Sequence, residues 1–103
     1  MPINKNANIR YQTLDRCFRD VRRRYFIADL IRECSEALCS YNFEGGVSRR
    51  QIFADINFME SDAGYSIELD RLREGKRVYY RYADPTFSIN QQPQLTDIQN
   101  DIA

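Results

Sequence analysis

The chain has 103 residues, of which 43% are hydrophobic and 13% aromatic, so it can form one small folded domain rather than a disordered segment. Basic and acidic residues balance at 15 each, and the net charge therefore predicts neither a nucleic-acid partner nor a membrane partner. No apolar run is long enough to span a membrane, and no signal-peptide core is present. We expect a soluble, cytoplasmic protein.

The side chains do not favour catalysis or metal binding. The sequence has no histidine, no glycine-rich phosphate loop and no nucleophile with a neighbouring base. Asp55 and Glu60 are too isolated to suggest paired catalytic carboxylates. Cys17, Cys34 and Cys39 are odd in number and include no C-x-x-C pair, which predicts reduced thiols rather than disulfides or a zinc site. We predict no enzymatic activity, no cofactor and no metal.

Basic residues are concentrated in two segments. The charged residues of segments 1–24 and 71–81 are mainly Arg and Lys, whereas the compensating acidic residues lie mostly in 29–44 and in the C-terminal tail. A neutral domain with such local basic surfaces remains compatible with phosphate binding.

Apolar spacing predicts two helices in the first half of the chain. The first runs from about Ala7 to Asp20 and the second from about Ile27 to Cys39. Tyr25-Phe26 is a short extended candidate between them. Asn42–Gly46 is predicted as a loop because Gly45-Gly46 breaks the helical pattern.

A third helix is predicted over residues 48–62. Ser48 followed by Gln51 is the S-x-x-Q capping box. Arg49 and Arg50 occupy the first turn, where the helix dipole is already positive, at a cost of a few tenths to about 1 kcal/mol. A capped helix with cations at its positive end indicates an anionic partner, and DNA phosphates and guanine edges are the leading candidates.

The helical wheel divides this third helix into two sides. Ile52, Ile56 and Met59 share a narrow sector and are predicted to be buried, whereas Arg50 and Asn57 point away from it. Phe53 lies on one flank of the buried sector.

Alternation with a period of two then predicts a β-hairpin. Its strands are Ser66–Asp70 and Arg77–Tyr82, with a turn at Arg73–Lys76. The predicted buried side consists of Ile67, Leu69, Val78, Tyr80 and Tyr82.

Residues 84–103 are predicted to be a linker and the start of a further helix. Asp84-Pro85 and Gln91–Gln94 are typical of extended chain, with Phe87 and Ile89 as anchors. Thr96 can cap a helix that is cut short at the end of the chain, so we expect more protein to follow.

Three helices followed by a hairpin is the order of a winged helix-turn-helix domain, an α+β, mainly α fold that we assign to residues 1–83. Helices two and three form the helix-turn-helix and the hairpin is the wing. In this arrangement helix three enters the major groove of double-stranded DNA, where Arg reads guanine and Asn reads adenine. Cations of the wing bind phosphates or the minor groove.

The same residues resemble a known family. The stretch 47–56, followed by Met59-Glu60, resembles the recognition-helix signature of the N-terminal domain of WYL-domain transcriptional regulators. Residues 24–31 are similar to that family's lead into helix two, and residues 74–82 and 84–90 are similar to its Bacteroides-type members, so that the resemblance covers nearly all of residues 1–95. The sequence departs from the family pattern at Ala54, where many relatives carry a basic residue, and we assign no base contact there.

The resemblance implies a bacterial transcriptional regulator that acts on DNA at the nucleoid. It also implies a ligand-sensing WYL domain after the linker. A homodimer through that C-terminal region is a further expectation, because helix-turn-helix proteins commonly read paired half-sites.

The predicted DNA-binding residues are Ser48, Arg49, Arg50, Gln51, Phe53, Asn57, Arg23, Arg24, Lys76 and Arg77. All of them except Ser48 and Gln51 have a simpler alternative. Arg49, Arg50 and Asn57 can be solvated surface residues, and Phe53 can pack beside helix two instead of touching a thymine methyl group.

Arg22–Arg24 can be a solvated junction, and Lys76 and Arg77 a soluble turn that blocks edge pairing. The tyrosines at 79, 80 and 82 can stack on single-stranded bases, although strand alternation favours packing.

A second hypothesis of function also remains open. The winged fold can be a module for protein–protein interaction without specific DNA binding. The neutral net charge supports it, and an exposed apolar patch of Phe53 and Phe58 would favour it.

Overall fold

The computed structural model describes residues 5–41, 46–84 and 86–90. Three helices are followed by a hairpin, as predicted. The elements in chain order are α1 (Lys5–Arg19), β1 (Tyr25–Phe26), α2 (Ile27–Ser40), α3 (Arg49–Glu60), β2 (Leu69–Glu74) and β3 (Arg77–Tyr82). In this described part of the chain, no helix has the length and apolar character needed to cross a membrane.

The wing is larger than the predicted hairpin because a third strand joins it. β2 and β3 pair antiparallel, and the short β1 pairs with the other edge of β3, which gives the strand order β1-β3-β2. Tyr25 lies opposite Tyr80 and Phe26 lies opposite Tyr79. β1 leads directly into α2, so this pairing attaches the wing to the start of the helix-turn-helix.

The turn between β2 and β3 contains Gly75 and Lys76. Gly75 has a φ of 65°. A glycine at the first position of a two-residue hairpin loop is the signature of a type II′ turn, whose twist matches that of the strands.

The predicted first wing strand, Ser66–Asp70, was wrong by several residues. The backbone amides of Tyr65 and Ile67 both donate to the Met59 carbonyl, at 3.2 and 3.0 Å. Ser66 has a φ of 53°, which is not an extended conformation. The end of α3 therefore holds this segment, and strand pairing begins only at Leu69.

The core lies between the three helices and the sheet. The predicted buried face of α3 is confirmed, because Ile52, Ile56 and Met59 are buried. On the hairpin Ile67, Tyr80 and Tyr82 are buried as predicted, while Leu69 and Val78 are half-buried. Other members of the core are Leu14, Cys17, Phe18, Tyr25, Leu30 and Cys34.

The capping box predicted for α3 is only half formed. The hydroxyl oxygen of Ser48 accepts a hydrogen bond from the backbone amide of Gln51 at 3.0 Å. The Gln51 side chain does not return this bond. Its amide nitrogen instead donates to the buried carboxylate of Asp55 at 2.9 Å. α3 ends at Glu60, two residues before the predicted Asp62, because Ser61 is extended and caps the helix.

The segment that leaves the wing is fixed to α1 by one buried carboxylate. Asp15, 1% exposed, accepts hydrogen bonds from the Tyr82 hydroxyl at 2.6 Å, the Ser88 hydroxyl at 3.0 Å and the Ile89 amide at 3.0 Å. Ile89 belongs to the core, and the Phe87 ring lies 4.9 Å from that of Tyr82. The predicted anchoring by Phe87 and Ile89 is confirmed.

Three sequence predictions lie outside the described residues. They concern the loop at 42–45, the extended linker at Gln91–Gln94 and the helix that would start at Thr96.

Candidate nucleic-acid interface

The exposed face of α3 carries the polar side chains that the helical wheel placed there. Arg50, Ala54 and Asn57 are all exposed. Among the described residues, the side chain of Arg50 has no ion-pair, hydrogen-bond or ring partner, and Asn57 has no hydrogen-bond partner. Both side chains are therefore available to an outside ligand.

The opposite side of α3 is fixed to α1 by a buried ion pair. Asp55, 2% exposed, accepts hydrogen bonds from the Nε of Arg10 at 2.6 Å and from its Nη2 at 3.2 Å. The Gln51 amide adds a third donor to the same carboxylate. This bidentate geometry sets both the position and the rotation of α3 on α1.

Aromatic stacking holds the C-terminal half of α3. The Phe58 ring stacks on the ring of Tyr11 of α1 at 5.3 Å between centroids, and both rings contact Tyr65 edge-on. Phe58 is half-buried in this stack. It therefore does not form an exposed apolar patch with Phe53.

A groove of about 400 Å³ separates the start of α3 from the wing. Three segments form its walls. They contribute Phe26 from β1 with Ile27 and Ala28 from the start of α2, Arg49 and Phe53 from α3, and Lys76, Arg77, Val78 and Tyr80 from the wing. Three of these nine residues are cationic and none is acidic, so every charged group of the lining is positive.

Two of the groove arginines lie on aromatic rings. The guanidinium carbon of Arg77 lies 3.8 Å from the centroid of the Phe26 ring, and that of Arg49 lies 5.4 Å from the centroid of the Phe53 ring. Cation–π contacts of this kind orient the guanidinium group without neutralising its charge. Phe53, 37% exposed, is thus a wall of the groove beneath Arg49.

Comparison with protein families identifies this arrangement. Residues 6–83 match the N-terminal winged helix domain of WYL domain-containing proteins. The chain belongs to this family. Neither the curated proteins nor the solved structures gave a match. The match confirms the resemblance and the winged helix fold, and domains of this class generally serve DNA-binding regulators of transcription.

The structure brings together four of the predicted site residues of this WYL-family domain. Arg49, Phe53, Lys76 and Arg77 line the groove, while Arg50 and Asn57 lie on the outer face of α3.

Ser48 and Gln51 lie at the start of α3, but their side chains have partners inside the domain. Ser48 accepts the cap bond, and Gln51 is half-buried against Asp55.

Arg23 and Arg24, just before β1, lie outside the groove lining. Arg23 lies over the Tyr25 ring at 5.1 Å. Arg24 lies over the Tyr79 ring at 5.6 Å and 3.6 Å from the carboxylate of Glu74. The hydrogen bond with the Tyr79 hydroxyl and the charge of Glu74 raise the pKa of Arg24. Arg24 remains charged, but Glu74 offsets part of its field.

Sequence reasoning missed three residues that build this interface in the WYL-family domain, namely Asp55, Arg10 and Phe26. Asp55 was judged only as an isolated acid, although it lies on the apolar side of α3 beside Ile56, and a carboxylate there requires a buried partner. The sequence position of Asp55 therefore predicts a buried partner, but no local sequence pattern identifies Arg10 as that partner. Phe26 was predicted to be extended, and its place in the groove wall follows from the pairing of β1 with β3.

Proposed function

We propose that this chain binds DNA sequence-specifically as the N-terminal region of a bacterial transcriptional regulator. α3 enters the major groove and the wing, residues 69–82, lies on the sugar-phosphate backbone. The observation that carries the proposal is the pairing of a free Arg50 and Asn57 on the outer face of α3 with an adjacent groove that holds three cations and no carboxylate.

The chemistry of the outer face matches base edges. A guanidinium group can donate two hydrogen bonds to O6 and N7 of guanine, and an asparagine amide can pair with N6 and N7 of adenine. Seven residues separate Arg50 from Asn57, which is close to two helical turns, so the two side chains point the same way. They can therefore both reach base edges from a single helix.

Ser48 and Gln51 have a supporting task in this proposal. The Ser48 hydroxyl retains a donor for a phosphate oxygen while its oxygen caps α3. Gln51 adds a hydrogen bond to the Asp55 carboxylate, which Arg10 of α1 holds. Arg23 and Arg24 extend the basic surface from the other side of β1 toward the DNA backbone.

The wider assignment follows the family. We propose that residues 1–83 are the DNA-binding domain and that residues 84–103 lead to a ligand-sensing WYL domain. We also propose that the regulator acts in the cytoplasm as a homodimer joined through its C-terminal region, since paired half-sites are common for helix-turn-helix proteins.

A binding selection followed by titration tests the function. Duplexes selected by the chain from a randomised pool are compared with scrambled duplexes in fluorescence anisotropy at several salt concentrations. We expect the selected duplex to bind more tightly, with an affinity that falls as salt rises.

Substitution of Arg50 tests the recognition helix. Arg50→Ala should weaken binding to the selected duplex about 5- to 150-fold, the equivalent of roughly 1–3 kcal/mol for one bidentate guanine contact. Arg16→Ala is the control, because Arg16 is an exposed arginine of α1 outside the groove. Unchanged selectivity of Arg50→Ala would refute the assignment of α3.

The alternative function, a protein–protein module, has less support. Phe58 is stacked on Tyr11, and Phe53 lies beneath Arg49, so the two do not form an apolar docking patch. A stable protein complex together with absent or salt-independent DNA binding would select this alternative.

A further inference from the structure

We propose that Arg49 and Arg50 have different tasks on DNA, although they are neighbours in sequence. Arg49 joins Arg77 and Lys76 in holding one deoxyribose-phosphate unit in the groove between α3 and the wing. Base discrimination is left to Arg50 and Asn57. This inference rests on the proposed function and adds the division of labour within it.

The two arginines lie on different surfaces of the domain. Arg49 lines the groove and lies over Phe53, whereas Arg50 is exposed and does not line it. Successive residues of a helix are rotated by about 100° from each other. When Arg50 faces base edges, Arg49 therefore faces the wing.

The charge of the groove selects an anion. Arg49, Lys76 and Arg77 converge from two different elements, and no acidic residue lines the groove to neutralise them. Glu74 lies opposite Arg77 in the hairpin, but Arg77 is placed over Phe26 instead of forming an ion pair with it. Two guanidinium groups and one ammonium group suit the oxygens of a phosphate.

The remaining lining selects the DNA backbone over a base. Apart from the Tyr80 hydroxyl, the lining side chains offer no hydrogen-bond acceptor, so they cannot read the donor groups of base edges. Phe26, Phe53 and Val78 supply apolar surface next to the cations. A sugar-phosphate chain alternates less polar sugars with anionic phosphates, so it matches a groove in which apolar surface lies next to cations.

Titrations with single variants test the division of labour. Dissociation constants for selected and scrambled duplexes are measured over a salt series for Arg49→Ala, Arg77→Ala and Arg50→Ala. We expect the first two variants to weaken binding to both duplexes by the same factor and to reduce the salt slope by about one each. Arg50→Ala should instead lower the ratio between selected and scrambled duplex.

A double variant tests whether Arg49 and Arg77 share one phosphate. The combined loss in Arg49→Ala/Arg77→Ala should differ from the product of the single losses by at least about twofold, because residues that share a partner are not additive. Arg49→Lys keeps the charge and should restore the salt slope. Circular dichroism melting verifies that each variant is folded.

Single methylphosphonate substitutions in the selected duplex locate the phosphate. At one position, removal of the charge should abolish the difference between the unmodified chain and Arg49→Ala, and also the difference for Arg77→Ala. Sensitivity of the two variants to different phosphates would overturn the shared site.

The outcomes separate the two proposals. If the unmodified chain binds DNA selectively but Arg49→Ala lowers selectivity as Arg50→Ala does, the inference is wrong and the proposed function stands. If the unmodified chain shows no selective binding, both are wrong.

Discussion

Asp55 and Arg10 set the position of the candidate recognition helix. Removing two charges from water is costly, and this cost is recovered only when the ion pair has good geometry and further hydrogen bonds. Here the two-point contact with Arg10 and the Gln51 amide meet that requirement. The pair therefore gives α3 one defined orientation, and this orientation fixes where Arg50 and Asn57 lie on the surface.

Loss of Arg10 should destabilise the domain strongly. Arg10→Ala leaves the buried Asp55 carboxylate without its cation, and we expect the free energy of unfolding to fall by about 3–5 kcal/mol. Urea denaturation followed by circular dichroism measures this change. Arg16→Ala removes an exposed ion pair with Glu33 from the same helix and should cost less than about 1 kcal/mol. Equal, small losses in both variants would contradict the structural role of Asp55.

The cysteines should differ sharply in reactivity. Burial raises the pKa of the Cys17 and Cys34 thiols to about 12, whereas Cys39 is exposed. Since the thiolate is the nucleophile, Ellman's reagent at neutral pH should modify Cys39 quickly and the other two only after unfolding. Cys39→Ser should remove the fast phase. Rapid modification of all three thiols in the folded protein would contradict the packing.

At the scale of elements, the helices were predictable because their signals are local. Apolar spacing and the Ser48 cap placed the boundaries of all three within two residues. The start of β2 was misplaced because Ile67 and Leu69 alternate like a strand, while the amide of Ile67 bonds to the end of α3. The β1–β3 pairing joins residues about 55 positions apart, and no local pattern encodes it.

The turn of the wing should depend on Gly75. Its φ of 65° lies in the left-handed region, and an alanine there is strained by about 1–2 kcal/mol even though its Cβ would meet nothing within 4 Å. We expect Gly75→Ala to lower the thermal midpoint. Gly46→Ala is the matched control, because its Cβ would make an ordinary contact, at 3.5 Å, with the Ser35 hydroxyl oxygen. A Gly75→Ala protein as stable as this control would contradict the turn.

At the scale of the whole molecule, the candidate site was only partly predictable. The sequence identified Arg49, Lys76 and Arg77 as cationic candidates from charge and capping alone. Their convergence on one groove depends on tertiary packing, because Phe26, the third wall, reaches the groove only through the strand pairing of β1.

The folded state should become less stable at alkaline pH. Burial, and then the hydrogen bond to Asp15, raise the pKa of Tyr82 above its ordinary 10.0, and burial raises the pKa of Cys17 and Cys34 above 9.0. The folded state keeps these protons after the unfolded chain has lost them. The contribution of these groups to the free energy of unfolding is therefore complete below about pH 9. It is lost as the pH rises toward their pKa values in the folded state.

Urea titrations at about pH 7, 9 and 10.5 measure this loss. Each buried thiol should contribute a slope of up to roughly 1.4 kcal/mol per pH unit above its unfolded pKa. The Cys17→Ala/Cys34→Ala variant should show a shallower slope. An unfolding free energy that is constant up to about pH 10.5 would contradict the prediction.

Asp15 determines how the chain after Asn90 is attached to the domain. The side-chain amide nitrogen of Asn90 donates to the side-chain oxygen of Gln12 at 2.7 Å, and Asp15 accepts hydrogen bonds from Ser88 and Ile89, so this segment is fixed to α1. On the same helix, five residues before Asp15, Arg10 donates a hydrogen bond to Asp55 of α3. α1 thus connects the outgoing chain, through the buried Asp15, to the helix proposed to read DNA, through the buried Asp55.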